Sequence, residues 1–296
     1  MNKRDLKNIA WLTVRKLIGR VNYEKLRTRY NIGYWPNLKN PRTYCEQMIC
    51  IKMAPKPYFS KLADKYEVRS FVEERIGKDF LTRLYMVCDR VEDIPWDKLP
   101  NSFVLKAVHS GGSQGVVIVR DLANEDRKKL IARARRAFNI RFGSFTNEDH
   151  YLAIKPRLIA EELLVDETTS DRIPADYKCY CFDGRLKVIE CHTDRFGNHL
   201  EAFYTPDWKR LDMSTNLPLS GDLPRPKHLS ELVAAAEKLA AGFNTVRVDF
   251  YDLPDRVVFS EMTFTGASGW LDFTPKEVDL EWGEWLRNAK ESSYAG

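Results

Sequence analysis

An α+β fold with antiparallel sheets is what the order of patterns along this 296-residue chain predicts. Three stretches carry the expectation. The runs SFVLKAV and VVIV flank a short HSGGSQG, so Ser102 to Arg120 reads as a hairpin with a glycine-rich tip. Lys178–Phe182, Arg185–Cys191 and Leu200–Tyr204 alternate like strands, and Asp183-Gly184 between the first two is a favoured hairpin turn. Thr245–Tyr251 and Val257–Met262 form a further strand pair, rich in acids. Helices do not alternate with these strands one for one, which argues against a doubly wound parallel sheet.

The remaining elements follow in order. Residues 5–30 have helical periodicity, with Leu6, Ala10, Val14, Leu17 and Val21 as an apolar stripe. GYWPNLKNPRTY is turn-rich and reads as a loop. Thr43 to Lys52 suits a short helix, and Ser60 to Ile76 one continuous helix ended by Gly77. Ala123 to Ile140 is a basic helix, and Arg157–Val165 a strand running into a turn. Leu223 to His228 is a proline-rich loop, and Ser230 caps an Ala-rich helix reaching Ala241. The tail after Trp285 is polar and expected to fray.

Composition narrows the class. The chain is 44% hydrophobic and 30% charged, as in an ordinary globular enzyme. It has no run long enough for a membrane span, and IAWLTV is too short for a signal peptide, so the expected location is the cytoplasm. The six cysteines, Cys45, Cys50, Cys88, Cys179, Cys181 and Cys191, lack metal-site spacing and read as buried free thiols. Nine basic residues against two acidic ones in residues 1–30 give a local charge of +7 within a net +5. That basic helix either packs on its own domain or touches the anionic inner face of a membrane. No nucleic-acid motif accompanies it, so no nucleic-acid partner is expected.

Chemistry concentrates in two places. HSGGSQG matches neither the P-loop nor G-x-G-x-x-G. A glycine hairpin can still hold a triphosphate through backbone N–H groups of Gly111, Gly112 and Gly115 and hydroxyls of Ser110 and Ser113. Lys106, inside the preceding strand, would aim its ammonium at the phosphates. Downstream, Arg247 and Asp249 share one strand face, and Glu261 and Thr263 share another. Paired strands would bring them together as carboxylates for Mg2+, with an arginine for developing negative charge. An ordinary salt-bridged strand pair would leave the same pattern.

Taken in order, LK-x-x-H-x-G-G-S-x-G, EELL, YKCY-x-x-DG, VRVDFY and SEMTFTGASG resemble the ATP-grasp superfamily. The set is most similar to the TupA-like ATP-grasp family of bacterial surface-polysaccharide loci. NPRTYCEQMICIKM, Asp64-Lys65-Tyr66 and the DRF and FYTPDW segments look alike as well, so the resemblance spans residues 34–286. It implies an ATP-grasp fold, two α+β subdomains with antiparallel sheets gripping ATP, after a helical N-terminal region. The implied division is an extension at 1–33, an ATP-grasp domain at 34–286 (34–100, 101–165 and 166–286) and a tail at 287–296. The implied cofactors are ATP and Mg2+. By likeness, Lys65, Lys106 and Lys178 hold phosphates, and Lys106, Lys178 and Arg247 serve catalysis. Glu161, Glu162, Leu163 and Leu164 form the adenine hinge. Asp166 or Glu167 takes the ribose. Asp249 and Glu261 are the metal acids, with Thr263 where most relatives carry asparagine.

The implied reaction is carboxylate–amine ligation through an acylphosphate, forming an amide on a sugar acid of a surface polysaccharide or its precursor. Arg195, His199 and Trp270 are the candidate residues for that sugar acid. A sugar-nucleotide glycosyltransferase is the first alternative, and no D-x-D supports it. An ATP-grasp kinase without ligation is the second.

Overall fold

The computed structural model describes residues 3–112, 114–166, 172–193 and 197–294. Eight α-helices and nine strands are found among them: α1 Lys3–Ile32, α2 Tyr44–Met53, α3 Tyr58–Ala63, α4 Val68–Ile76, β1 Leu84–Cys88, β2 Phe103–Ala107, β3 Val116–Val119, α5 Arg127–Phe138, α6 Asp149–Leu152, β4 Leu158–Glu161, β5 Asp176–Phe182, β6 Arg185–Thr193, β7 Leu200–Tyr204, α7 Leu229–Ala240, β8 Thr245–Asp252, β9 Val257–Thr263 and α8 Glu277–Asn288. The strands form two sheets, ordered β1-β4-β2-β3 and β7-β6-β5-β8-β9. Every pairing within them is antiparallel. The expected α+β class therefore holds.

Each sheet packs one face on a helix by the two-residue alternation of its strands. In the first, Phe103, Leu105 and Ala107 of β2 and Val117 and Val119 of β3 pack against Leu130, Ala134 and Ala137 of α5. In the second, Cys179, Cys181, Cys191, Val246, Val248 and Phe250 face Leu232, Ala236 and Leu239 of α7. All six cysteines are free, and all but the half-buried Cys50 are buried. The Asp183-Gly184 turn has positive φ at both residues, 49° and 71°, as the predicted hairpin requires.

Several expectations change. The helix foreseen over Ser60–Ile76 is two helices, because Asp64 Oδ1 accepts from the backbone N–H of Tyr66 and Glu67 and turns the chain between them. The N-terminal helix breaks at Gly19, where φ is 75° and ψ 165°, so its apolar stripe is not one continuous face. Leu17 and Val21 point to solvent while Tyr23, Glu24 and Thr28 are buried. Glu24 takes a buried ion pair from Lys52 at 2.9 Å and a hydrogen bond from Asn147 at 2.5 Å. Helix α7 begins after His228, with no side-chain cap from Ser230. The tail does not fray through Tyr294. Residues to Asn288 are helical, the Ser293 and Tyr294 N–H groups bond Gly242 O, and the Tyr294 ring packs on Tyr58 and Phe71. Strand β1 and most of α8 carried no sequence expectation.

Candidate active site

The second sheet presents its other face as three transverse rows of polar residues. One row runs Glu201, His192, Asp176, Tyr251. The next runs Glu190, Lys178, Asp249, Glu261, and the third places Tyr180 beside Arg247 and Thr263. Alternation along β5 and β8 puts these side chains on one face, opposite the α7 core. Strand β9 keeps the pattern by an irregularity. Phe259 pairs with Phe250 and Glu261 with Asp249, so Ser260 is an extra residue. Without that bulge Phe259 and Glu261 would share a face. With it, Phe259 joins the α7 core while Glu261 enters the site.

The cations and acids of this face are mutually satisfied. Arg247 grips Asp249 through Nε and Nη2, each at 2.7 Å, and Nη2 also donates to Glu261 Oε1 at 3.3 Å and Thr263 Oγ1 at 3.2 Å. One nitrogen reaching Asp249 Oδ2 at 2.7 Å and Glu261 Oε1 at 3.3 Å keeps those oxygens no more than about 6 Å apart. Lys178 bonds Asp176 at 2.6 Å and Asp249 at 3.3 Å. Lys65 reaches Glu261 at 2.8 Å and is only 10% exposed, because the turn at Asp64 swings it off the helix surface. Burial opposes the Glu261 charge, but Lys65, Arg247 and Lys178 outweigh it and hold the carboxyl well below its ordinary value. Burial pushes the Asp249 carboxyl up, against the pull of Arg247 and Lys178.

The first sheet supplies the facing wall. Lys106 on β2 bonds Glu161 at 2.8 Å, and Arg69 bonds the same carboxylate at 2.6 Å. Burial works against the Lys106 charge, yet Glu161 raises its pKa above the ordinary lysine value. Between the sheets lies a cleft of about 440 Å³, lined on one side by Val104, Val116, Ile118, Leu163 and Leu164 and on the other by Tyr251, Asp249 and Glu261, with Lys65 and Lys106 at its polar end. An apolar slot leading to lysines and acids is the shape a nucleoside triphosphate needs. A second cavity of about 320 Å³ shares Gly112 and Glu261 with it and is lined by Lys178, Arg247, Glu190, His192 and Glu201.

The glycines at the hairpin tip answer specific constraints. A Cβ on Gly111 would stand 2.6 Å from the Phe142 ring, one on Gly115 would collide with the Ser110 hydroxyl, and Gly112 has φ +62°. His109 anchors the tip by bonding the carbonyls of Phe138 and Ile140 through Nε2, each at 3.1 Å. Residues 111–115 spell G-x-S-x-G, but the tip joins two antiparallel strands, whereas a nucleophile elbow leads from a strand into a helix.

Other assignments need correcting. Ser110 is buried and donates to Ala107 O at 2.9 Å, so its hydroxyl serves the hairpin rather than a phosphate. Glu161 is a strand residue paired with both β1 and β2, and its carboxylate is the counterion of Lys106. The Glu162 N–H bonds Arg83 O at 2.9 Å and its side chain pairs with Arg256. Of the four hinge residues, Leu163 and Leu164 line the cleft without such ties. Trp270 is 7% exposed and has Arg27 and Lys52 over its ring at 4.5 and 4.0 Å, so it is core rather than a sugar platform. His199 lines the cleft, and its Nε2 bonds His192 Nδ1 at 2.9 Å. Ser113, Glu167 and Arg195 lie outside the described residues, and Asp166 is buried. Sequence reasoning passed over Asp176, Glu190 and Glu201. Glu190 and His192, alternating with Ile189 and Cys191, were the available signal.

Asp249, Glu261 and Thr263 offer hard oxygen donors within one small volume, the donor set that suits Mg2+. The family model described as TupA-like ATPgrasp matches residues 47–287. Comparison with curated proteins finds no match. Among solved structures, D-alanyl-alanine synthetase A from Vibrio cholerae O1 biovar eltor is 14% identical, with 77% of this chain and 63% of that chain covered and a TM-score of 0.44. D-alanine-D-alanine ligase from Helicobacter pylori is 16% identical, with 77% and 61% covered and a TM-score of 0.43. The biotin carboxylase domain of Hydrogenobacter thermophilus 2-oxoglutarate carboxylase, in complex with MgADP, ADP and bicarbonate, is 14% identical, with 79% and 47% covered and a TM-score of 0.42. The chain thus spans less than two thirds of each of these three.

Proposed function

Because the chain belongs to the TupA-like ATP-grasp family, we propose that it is an ADP-forming carboxylate–amine ligase that uses ATP and Mg2+ and works through an acylphosphate. The observation that carries this is the pairing of Asp249 with Glu261 under one Arg247 nitrogen, on the polar wall of a cleft whose other wall is an apolar slot. The division of labour follows from charge. Lys65, Lys106, Lys178 and Arg247 stand against Asp176, Asp249, Glu161 and Glu261. Mg2+ held by Asp249 and Glu261 would neutralise charge on the phosphates. Lys65 and Lys178, released from those carboxylates, would then turn to the phosphate oxygens. Leu163, Leu164, Val104 and Ile118 take the base. Arg247, anchored between two carboxylates, orients its planar fork toward the transferred group. The glycine tip covers the site and keeps water from a reactive acyl group.

The substrate assigned is a sugar acid of a bacterial surface polysaccharide or its precursor, joined to an amine. The family likeness supports it. The test is ADP release from a panel of uronic acids and amines, with product mass. ADP that requires both partners, with a product mass of acid plus amine less water, supports the ligase. ADP that requires the sugar alone, with a phosphorylated product, makes the protein a kinase.

The same reading includes peripheral contact with an anionic membrane face. Leu17 is 79%, Val21 51%, Tyr30 59% and Trp35 62% exposed, amid basic residues Lys16, Lys25 and Arg29. No helix among the described residues is long and apolar enough to cross a membrane. Deleting the segment would strip the buried Tyr23 and Glu24 from the body. The test is therefore flotation of Leu17→Ser/Val21→Ser on anionic liposomes. Flotation equal to wild type rejects the contact.

A further inference from the structure

The second cavity holds charge that phosphoryl transfer does not use. Glu190 and His192 come from β6 and Glu201 from β7, and one ligand atom from each lies within 4.8 Å of the others. All three line the cavity that Arg247 and Glu261 also line.

The two glutamates stand in opposite environments. Glu190 Oε2 accepts from Tyr180 at 2.7 Å, and Oε1 accepts from His192 Nε2 at 2.5 Å. Burial opposes its charge, but His192, Lys178 and Tyr180 prevail and hold the carboxyl down at about 2. Glu201 is 1% exposed. Among the described residues its carboxylate accepts only from Thr215, from N at 2.5 Å and Oγ1 at 2.8 Å, and no Lys or Arg pairs with it. Burial pushes its carboxyl up, and Glu190 adds to that push against Thr215 and His192. A fully buried carboxylate on a cavity wall without a countercharge is half of an ion pair. Two neighbouring acids with pKa values driven apart divide into a fixed charge and a proton carrier.

We propose that this corner is the amine subsite: a primary ammonium docks between Glu190 and Glu201, and Glu201 takes the proton that must leave before the nitrogen attacks. The proposal rests on the ligase reading and names its second substrate class. R–NH3+ gives one proton to the Glu201 carboxylate and becomes R–NH2. Its lone pair forms the C–N bond as the C–O bond to phosphate breaks, the second proton leaves with the phosphate as hydrogen phosphate, and Glu201 returns its proton to solvent. Glu190, kept ionised, holds the ammonium in place. The other charged groups on the cavity are Lys178, Arg247, Glu148 and Glu261. Lys178 sits in the row that leads to Asp249 and Glu261, and Arg247 in the next row bonds both acids, where the carboxylate substrate is activated.

Two measurements on the full chain test this. In the first, ethanolamine is titrated calorimetrically into the wild type, Glu201→Gln and Glu190→Gln at pH 7.5. Saturable binding weakened at least about tenfold in Glu201→Gln is expected, since each carboxylate–ammonium bond is charge-assisted. No binding to the wild type overturns the subsite even where ligation is seen. In the second, ADP release with D-glucuronate is compared for ethanolamine and for hydroxylamine, which is uncharged at this pH. The ratio of ethanolamine to hydroxylamine rates should fall at least about thirtyfold in Glu201→Gln and recover as pH rises toward the ammonium range, about 10. Equal loss with both nucleophiles makes Glu201 structural and overturns the proposal. So does Mn2+ binding that needs Glu201 when ethanolamine does not bind. ADP release by the wild type with neither nucleophile defeats the sugar-acid ligase reading instead, and the binding arm still decides the subsite. If Glu201→Gln does not fold, the wild-type titration and Glu190→Gln carry the decision.

Discussion

The nucleotide cleft and the second cavity share Gly112 and Glu261, yet they treat charge differently. In the cleft Lys65 is paired with Glu261 and Lys106 with Glu161, and Arg247, on the wall of the second cavity, is paired with Asp249. In the second cavity Glu201 has hydroxyl and amide partners but no Lys or Arg partner among the described residues. A neutral, pre-paired cleft suits a ligand that arrives with its own metal, because anion and cation can exchange partners with the protein at once. An unmatched carboxylate suits a ligand that brings a positive charge alone. On the proposed reading, the two substrates are told apart by charge before shape.

The sharpest way to break this contrast is Glu261→Gln, since Glu261 serves both spaces. ADP release should fall on the order of 10²-fold or more, because charge neutralisation carries most of the catalysis. A variant within threefold of wild type in a coupled ADP assay defeats the metal assignment. Arg247→Lys should lose about 10- to 50-fold in the same assay, since a point charge cannot span Asp249 and Glu261 as the planar fork does. Lys106→Met should weaken ATP about tenfold by calorimetry and leave ethanolamine binding unchanged. Chelating Mg2+ should weaken ATP by a similar factor, because the acids then keep the lysines. Equal ATP affinity with and without chelator contradicts the exchange of partners.

The smallest effects concern stability. Glu190 titrates lower in the folded chain than in the unfolded one. Its stabilisation is therefore complete above the unfolded value, about 4.3, and is lost as pH falls toward about 2. Glu190→Gln should flatten the acid limb of a plot of Tm against pH over that window. Glu201 has the opposite sign: its raised pKa means that ionisation at neutral pH weakens the fold. Glu201→Gln should melt no lower than wild type at pH 7.5, by calorimetry, whereas Glu190→Gln should melt lower.

Strand-borne parts of the site were legible in the sequence, because a period of two places Arg247 and Asp249 on a common face without any tertiary knowledge. The glycine hairpin was legible for the same reason. What stayed hidden depends on contacts between distant elements. Lys65 looked like one lysine in a continuous helix, and only the Asp64 turn brings it to Glu261. Glu161 looked like a hinge residue until its pairing with Lys106 and Arg69 made it a counterion. Trp270 sat where a sugar platform would fit, yet Arg27 from α1 and Lys52 from α2 cover it. Glu201 gives no sign in LEAFY of being buried without a cation.

The extra residue at Ser260 makes the site depend on counting. Deleting Ser260 would leave Phe259, Glu261, Met262 and Thr263 alternating as in a plain strand, opposite the same partners on β8. Drawing Ser260 into the ladder as a regular member would instead turn Glu261 and Thr263 toward α7, and Met262, now buried in the core, into the cleft. The strand would still pair and every residue of the proposed metal set would still be encoded. What the bulge protects is the phase of the strand, which composition does not record.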